Sequence, residues 1–442
     1  MDYYNELHSK WSRNAFSIRD AFRTLHIFDK GSSPAGPRHT ADVLNDAWEK
    51  VIESPPPPSF DSAHWRSKLE ILLSDPNLPV PKEVTPLELH SVIRSSPLHK
   101  AAGSDGIPNE VLHSLPPLAI VLLSQFFSSI LQLPSTMPSS WKISDVSLIP
   151  KTDSPDPLDY RPITLLLTVA KLLESVIWGR IKKILRSNLQ SLNDTCIISF
   201  EQGGFQLNRG CPEQVWVLEL VNQYYNRKGS PVFTAFLDLK KAYDSCPLDA
   251  VVYKLMQFDS LRQYGRFIDE WIRGHRRRLR VPNNTRLLDV LRGVPQGSVL
   301  APFLFNIFVN DLIVELRECI DIAPVIIYDV KIKSLFYADD IALVAPDLHS
   351  LQRALDICHR WACKWGMEFA PSKSKLMRLG AGSTPFSCKL GDVVLEYVKE
   401  FDYLGVTFRD NHRRTYLHKE KQKKRECTCF SRKYLRSPYQ EL

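Results

Sequence analysis

Apolar positions first recur at helical spacing along this chain and then give way to alternating strand-like and helix-like segments. Leu44, Trp48, Val51 and Ile52 fall three or four residues apart and predict an amphipathic helix late in residues 1 to 50. The run Pro55 to Pro58 breaks that pattern and reads as a linker. A second helix is expected over Ser62 to about Leu73, and a third from a Thr85 cap, with Glu88 at the capping-box position, to about Ser95. Beyond Lys100 the texture is that of an α+β domain. Leu115 to Pro134 carries no charge and has the length of a membrane span. Ser124, Gln125, Ser128, Ser129 and Gln132 interrupt it and Pro116-Pro117 opens it, so a buried helix is the better reading. No internal repeat is present.

Composition adds little until it is placed along the chain. A length of 442 residues allows two to four compact units. The 57 Lys+Arg against 49 Asp+Glu give +8, which favours polyanionic partners without requiring them. The basic residues concentrate in Trp271 to Arg280 and in the tail from His412 to Lys433; a solvated face explains both stretches, and only if the partner is a nucleic acid is the Arg276 to Arg280 cluster expected to line its channel. Nine cysteines without a repeating spacing, and a start (MDYYNELHSK) without the basic-then-apolar pattern of a secretory signal, suggest an intracellular protein, with neither nucleus nor cytoplasm favoured. Cys427 and Cys429 lack the second pair that a zinc site needs.

The chemistry lies in two acidic segments. Ser334-Leu-Phe-Tyr-Ala-Asp-Asp-Ile-Ala-Leu-Val-Ala345 sets two carboxylates inside a strand-forming apolar stretch, where an unpartnered buried charge costs on the order of several kcal/mol. Asp is ordinary at a bend, so this pair alone decides nothing. Upstream, Val232-Phe-Thr-Ala-Phe-Leu-Asp238 is an apolar strand that ends in a carboxylate and switches to a helix-like run through Tyr243. If the two strands are neighbours, Asp238, Asp339 and Asp340 form an oxygen site for hard divalent cations. Two such ions roughly 3.5 to 4 Å apart serve phosphoryl transfer, the chemistry of polymerases and nucleases. Between the acidic segments, Leu291-Arg-Gly-Val-Pro-Gln-Gly-Ser298 has glycines that permit close backbone approach and leads into an apolar helix over Phe303 to Leu312.

Taken in order, these segments resemble the motifs of reverse transcriptases from non-LTR (LINE-like) retrotransposons, over about Pro86 to Thr407. Ala102-Gly-Ser-Asp-Gly-Ile-Pro108 is similar to a segment ahead of the fingers, and Gly203 to Gly210 to a G-F-R-x-x-R segment, with Gln206 where a basic residue is common. The resemblance implies that Lys151 and Arg161 hold the incoming triphosphate and that Arg209 is a weaker candidate for template phosphate. Asp238 and Asp339 would be the main metal ligands and Asp340 a supporting one. It also implies that Tyr243 lies under the sugar and that Gln296 and Gly297 meet the template and nascent base pair. Lys373, in Trp365-Gly-Met-Glu-Phe-Ala-Pro-Ser-Lys373, would be a general acid beside the leaving pyrophosphate, with Ala370 at a position the family usually fills with asparagine. Tyr403, Leu404 and Gly405 would form the primer grip.

The implied fold is an α+β right-hand polymerase, fingers and palm around an antiparallel sheet, with a short, truncated thumb. Residues 1–84 would be a helical linker region, 85–230 the fingers, 231–380 the palm, and 381–442 the primer-grip hairpin and thumb remnant. Two Mg2+ ions, with Mn2+ as a substitute, an RNA template, a DNA primer and deoxynucleoside triphosphates are the expected cofactors and partners. Other domains of a parent polyprotein are expected and a membrane is not. The competing readings are an inactive nucleic-acid-binding remnant and a metal-dependent nuclease.

Overall fold

The computed structural model describes residues 41–150, 156–158, 160–190, 196–207, 209–280, 285–382, 384–410 and 416–417. Lys151, Cys427, Cys429 and nearly all of the basic tail, and with them the expected thumb remnant, lie outside the described residues.

Helix α1 (Ala41–Ile52) buries Leu44, Trp48 and Ile52, one stripe at a spacing of four. Helix α2 (Ser62–Leu73) is capped by Asp61, whose side chain accepts from the His64 N–H at 2.9 Å. Helix α3 (Pro86–Ser95) is capped by Thr85, which accepts from the Glu88 N–H at 3.1 Å. The Glu88 carboxylate does not close a capping box; Arg180 holds it with bonds of 2.9 and 2.7 Å. The charge-free stretch forms α4 (Pro117–Gln132), which buries Phe127, Ile130 and Leu131 in the main core. Among the described residues, no helix is long and apolar enough to cross a membrane.

The proline run is not a linker. Phe60 is buried, and a Cβ on Gly366 would meet the Pro57 side chain at 2.9 Å, so the prolines lie packed on the folded body. Leu69, Leu78 and Val84 join the main core, which places residues 55–84 in the body of the fold and corrects the expected helical linker region. An extended proline segment can bury its ring surface without leaving unbonded N–H groups behind.

Downstream come β1 (Ile143–Pro150), β2 (Tyr160–Leu165), α5 (Thr168–Gln190), α6 (Cys211–Arg227), β3 (Pro231–Asp238), β4 (Arg276–Leu279) and β5 (Arg286–Asp289). They are followed by α7 (Ala301–Glu318), β6 (Ser334–Tyr337), β7 (Asp340–Ala345), α8 (Leu348–Trp365), β8 (Lys375–Gly380), β9 (Glu396–Tyr397), β10 (Glu400–Tyr403) and β11 (Val406–Arg409).

One sheet has the order β2-β1-β4-β5, with β4 parallel to β1 and the other pairs antiparallel. Helix α1 covers it, packing Leu44, Trp48 and Ile52 on Val146, Leu279, Leu288 and Val290. This sheet takes up the basic cluster that was expected to line a channel. Arg277 is buried and bonded to Asp244 at 2.7 Å. Arg278 and Arg280 both pair with buried Asp145, and Arg286 reaches Asp46 and Glu49 on α1. The cluster therefore serves mainly as internal ion pairing; Arg276 lies on the exposed face.

The second sheet has the order β9-β8-β3-β7-β6, antiparallel except for β8 and β9. Side chains alternate between its two faces. Ala235, Leu237, Ile341 and Leu343 face α7 and α8 in the main core, whereas Phe236, Ala342, Val344 and Met377 face α6 and the β10–β11 hairpin. With both faces covered, the strand sequences read as unbroken apolar runs.

Arg277→Met is expected to cost about 3–5 kcal/mol, because it leaves Asp244 buried without its partner. Arg276→Met on the exposed face should stay within about 0.5 kcal/mol. Denaturant midpoints for the two variants check this; similar small shifts would show that the Asp244–Arg277 pair is not structural.

Candidate active site

Asp238 ends β3 and stands directly opposite Asp340, the first residue of β7. Directly opposed residues share a sheet face, with Cβ atoms about 5 Å apart. Asp339 sits in the turn between β6 and β7, beside Ala338, whose φ of 54° is left-handed. The Asp340 carboxyl is pushed up to about 7, first by enclosure among apolar neighbours and then by the charges of Asp339 and Asp238. Part of its surface nonetheless faces solvent, which softens both effects without changing the upward direction. Among the described residues, no three His, Cys, Asp or Glu side chains close into a ready-made metal cage. The donor set still fits a hard divalent cation: it is oxygen only, and a positive ion would relieve the repulsion that raises Asp340.

Lys373 lines the same pocket as Asp238, Asp340, Phe401 and Tyr403, a cleft with about 430 Å³ of empty space open to solvent. Its loop is tied to the end of β3 through backbone: the Ala370 N–H donates to the Asp238 carbonyl at 2.8 Å, and the Lys240 N–H to the Glu368 carbonyl at 2.8 Å. The buried Ser374 hydroxyl accepts from the Asp238 N–H at 3.3 Å. Alanine at position 370 thus leaves the loop anchored.

The hairpin β10–β11 turns through Leu404 (φ 51°) and Gly405 (φ 80°), the two positive values that a tight type I′ turn requires. Phe401 stacks on Phe236 with ring centroids 4.2 Å apart, which fixes the hairpin against the sheet that carries Asp238. Tyr403, expected as a gripping side chain, has its ring buried; Leu404 packs partly against the same core, and Gly405 at the turn is exposed.

The remaining expected residues belong to adjoining layers. The Tyr243 ring stacks on Phe305 at 5.0 Å, and burial together with the charge of Asp339 pushes its hydroxyl up. The Val294 N–H donates to the Tyr243 carbonyl at 2.8 Å, which joins the Pro295-Gln296-Gly297 loop to it. The Gln296 carbonyl accepts from the Thr164 N–H at 2.9 Å, and a Cβ on Gly297 would meet the Thr164 oxygen at 2.2 Å, so only glycine fits against β2. Arg161 is exposed on that same strand and does not line the Asp238 pocket. Arg209 donates to the Phe200 and Gln202 carbonyls and Gln206 to those of Ser199 and Gln202, so both side chains serve their own loop.

Two residues escaped sequence reasoning. Buried Glu174 accepts from Ser298 Oγ, from the Val299 N–H at 3.0 Å and from Trp271 Nε1 at 3.0 Å, and burial pushes it up to about 7. It anchors the far end of the Pro-Gln-Gly loop. Buried Gln202 bonds the Ala338 N–H. Neither stands in a periodic or repeated pattern; the only hint was the Gly203-Gly204 pair.

The sequence profile of the reverse transcriptase (RNA-dependent DNA polymerase) family matches residues 149–408. The chain belongs to this family. Curated relatives include the probable RNA-directed DNA polymerase from transposon BS of Drosophila melanogaster, 30% identical over 346 residues, covering 75% of this chain and 36% of that protein. The RNA-directed DNA polymerase from mobile element jockey of the same fly is 29% identical over 341 residues, covering 73% and 35%. This reverse transcriptase chain therefore spans about a third of the length of those relatives, and its kinship is with non-LTR elements. Among solved structures, apo telomerase from Candida tropicalis truncated from its C-terminal domain aligns at 12% identity with a TM-score of 0.44, over 74% of this chain and 64% of that one. Strands β4 and β5, inside the 231–380 span expected for the palm, pair into the sheet of β1 and β2 rather than into the sheet that carries Asp238. Reverse transcriptases use divalent metal ions.

Asp340 titrates near 7 in the folded, metal-free protein against an ordinary 3.8. Between those values the folded state holds a proton that the unfolded chain has released, so this contribution to stability is greatest below about pH 4 and is lost as pH rises through 7. The melting temperature of metal-free Asp340→Asn should therefore gain on wild type as pH rises across that window. A difference that stays constant from pH 4 to 8 would contradict the electrostatic account.

Proposed function

We propose that this chain extends a DNA primer on an RNA template with deoxynucleotides, by phosphoryl transfer at the Asp238, Asp339 and Asp340 site. The observation that carries the proposal is Asp238 opposite Asp340, at the mouth of a pocket that also holds Lys373. Two Mg2+ ions, replaceable by Mn2+, held by these carboxylates would lower the pKa of the primer hydroxyl and steady the leaving oxygen.

The other roles fall to the chain's own side chains. Arg161, exposed on the strand that bonds the Gln296 loop, offers a planar fork to the triphosphate. The same role for Lys151 rests on its motif alone. Gln296 and Gly297 would present backbone to the template and the nascent pair. The Tyr243 ring, rigidly stacked on Phe305, would occupy the space of a 2′-hydroxyl and so discriminate against ribonucleotides. Lys373, as an ammonium at the pocket rim, would give a proton to the departing pyrophosphate. The Leu404-Gly405 turn, next to the pocket wall formed by Phe401 and Tyr403, would hold the primer end. The relatives' names as RNA-directed DNA polymerases support the choice of template.

The test is extension of oligo(dT) on poly(rA) with Mg2+. Wild type should extend, and Asp238→Asn or Asp339→Asn should lower the rate by more than about a hundredfold with duplex binding and melting temperature nearly unchanged. Near-normal turnover in either variant would sink the assignment. Tyr243→Val should raise the ratio of ribo- to deoxynucleotide incorporation by about tenfold, roughly 1.4 kcal/mol of discrimination. An unchanged ratio would remove Tyr243 from the gate.

A further inference from the structure

The turn that carries Asp339 is held from beneath by a side chain on another segment. Ala338, immediately before Asp339, is buried and left-handed at φ 54°, a conformation costing a non-glycine residue about 1 kcal/mol or more. Gln202 is fully buried under it. Its Oε1 accepts from the Ala338 N–H at 2.8 Å and from the Gly204 N–H at 2.8 Å, while its Nε2 points at the Ala338 carbonyl at 3.4 Å. One amide thus grips both polar groups of the strained residue.

The grip is itself supported. The Gly203 N–H donates to the Phe336 carbonyl at 2.7 Å and the Phe336 N–H to the Glu201 carbonyl at 2.8 Å, so residues 201–203 run as a short extra strand along β6. A Cβ on Gly204 would meet the Ala338 nitrogen at 2.4 Å, which requires glycine there. Asn306, fully buried on α7, donates to the Gly204 carbonyl at 2.7 Å. A helix of the core is therefore connected to the catalytic turn through one loop.

We propose that Gln202 is the positioning residue of the Asp339 turn: its buried amide holds Ala338 left-handed and so aims the Asp339 carboxylate toward Asp238. The carboxylate's role in binding metal is taken from the function proposed above, whereas the clamp on Ala338 stands on geometry alone. Without the amide, two buried N–H groups lose their acceptor and the turn is free to relax. Asp339 would then share a cation with Asp238 less well, although neither aspartate has changed.

The test compares Gln202→Met, which keeps length and volume but accepts no N–H bond of comparable strength, with Gln202→Glu, which keeps the acceptor oxygens. Hydrogen exchange across residues 334–345 reads the clamp, and Mn2+ binding by calorimetry reads the aim of Asp339. Gln202→Met should speed exchange at the turn and weaken Mn2+ binding, each by about tenfold, with exchange in α8 near wild type and the melting temperature lowered by only a few degrees. Gln202→Glu should recover most of both. If Gln202→Met does not fold, Gln202→Glu and Asn306→Ala, which loosens the loop from α7, decide the matter: preserved binding in the first and weakened binding in the second support the clamp. Unchanged Mn2+ binding in a folded Gln202→Met, or in Asn306→Ala where that variant must stand in, overturns the proposal. A wild type that extends no primer, while the variants still show these shifts in exchange and Mn2+ binding, would refute the polymerase reading and leave the clamp standing.

Discussion

The register between β3 and β7 is the constraint on which the site depends. Phe233 faces Ala345, Ala235 faces Leu343, and three pairs further along Asp238 meets Asp340. Because side chains alternate, a slip of one residue would send Asp238 to the opposite face of the sheet from Asp340. Apolar burial prevents the slip: one face is locked by α7 and α8 and the other by α6 and the β10–β11 hairpin. The like charges are thus forced together by hydrophobic packing at the open end of the strands, and enclosure, with the charges of Asp339 and Asp238 added to it, raises the pKa of Asp340.

Around that pair, the loops are placed mainly by backbone bonds and buried polar groups rather than by the side chains proposed to act. The Lys373 loop hangs on the Asp238 carbonyl, the Gln296 loop on the Thr164 N–H and on Glu174, and the Asp339 turn on Gln202. This arrangement tolerates departures from the usual motif. Ala370 needs no side-chain bond to anchor its loop, and Gln206 bonds two carbonyls of its own turn. Such buried polar contacts gain strength from the low dielectric around them and are costly to leave half made.

Much of this was legible in the chain because it is local. The apolar run to Asp238, the Asp339-Asp340 bend, the glycines near Gln296 and the Leu404-Gly405 turn each carry their conformation in a few neighbouring residues. What escaped depends on distant partners. Arg277 belongs to a run that looks like a solvated or template-facing strip, yet it is buried against Asp244, 33 positions away. Strands β4 and β5 join β1 by a parallel pairing that leaves no local signature. The prolines at 55–58 signal a break in the helix but not that Gly366 waits to receive them. Tyr403 looks like a surface aromatic in its hairpin, and only the stack of Phe401 on Phe236 shows which way the hairpin faces.

The most direct measurement is the position of the metal itself. Crystals of this chain with an RNA template, a DNA primer and Mn2+ would locate manganese by its anomalous scattering. The account predicts density bounded by the Asp238 and Asp339 carboxylates, with Asp340 adjacent and the primer 3′ end beside it. Manganese bound elsewhere with the turn empty, while the primer lies in the cleft, would contradict it.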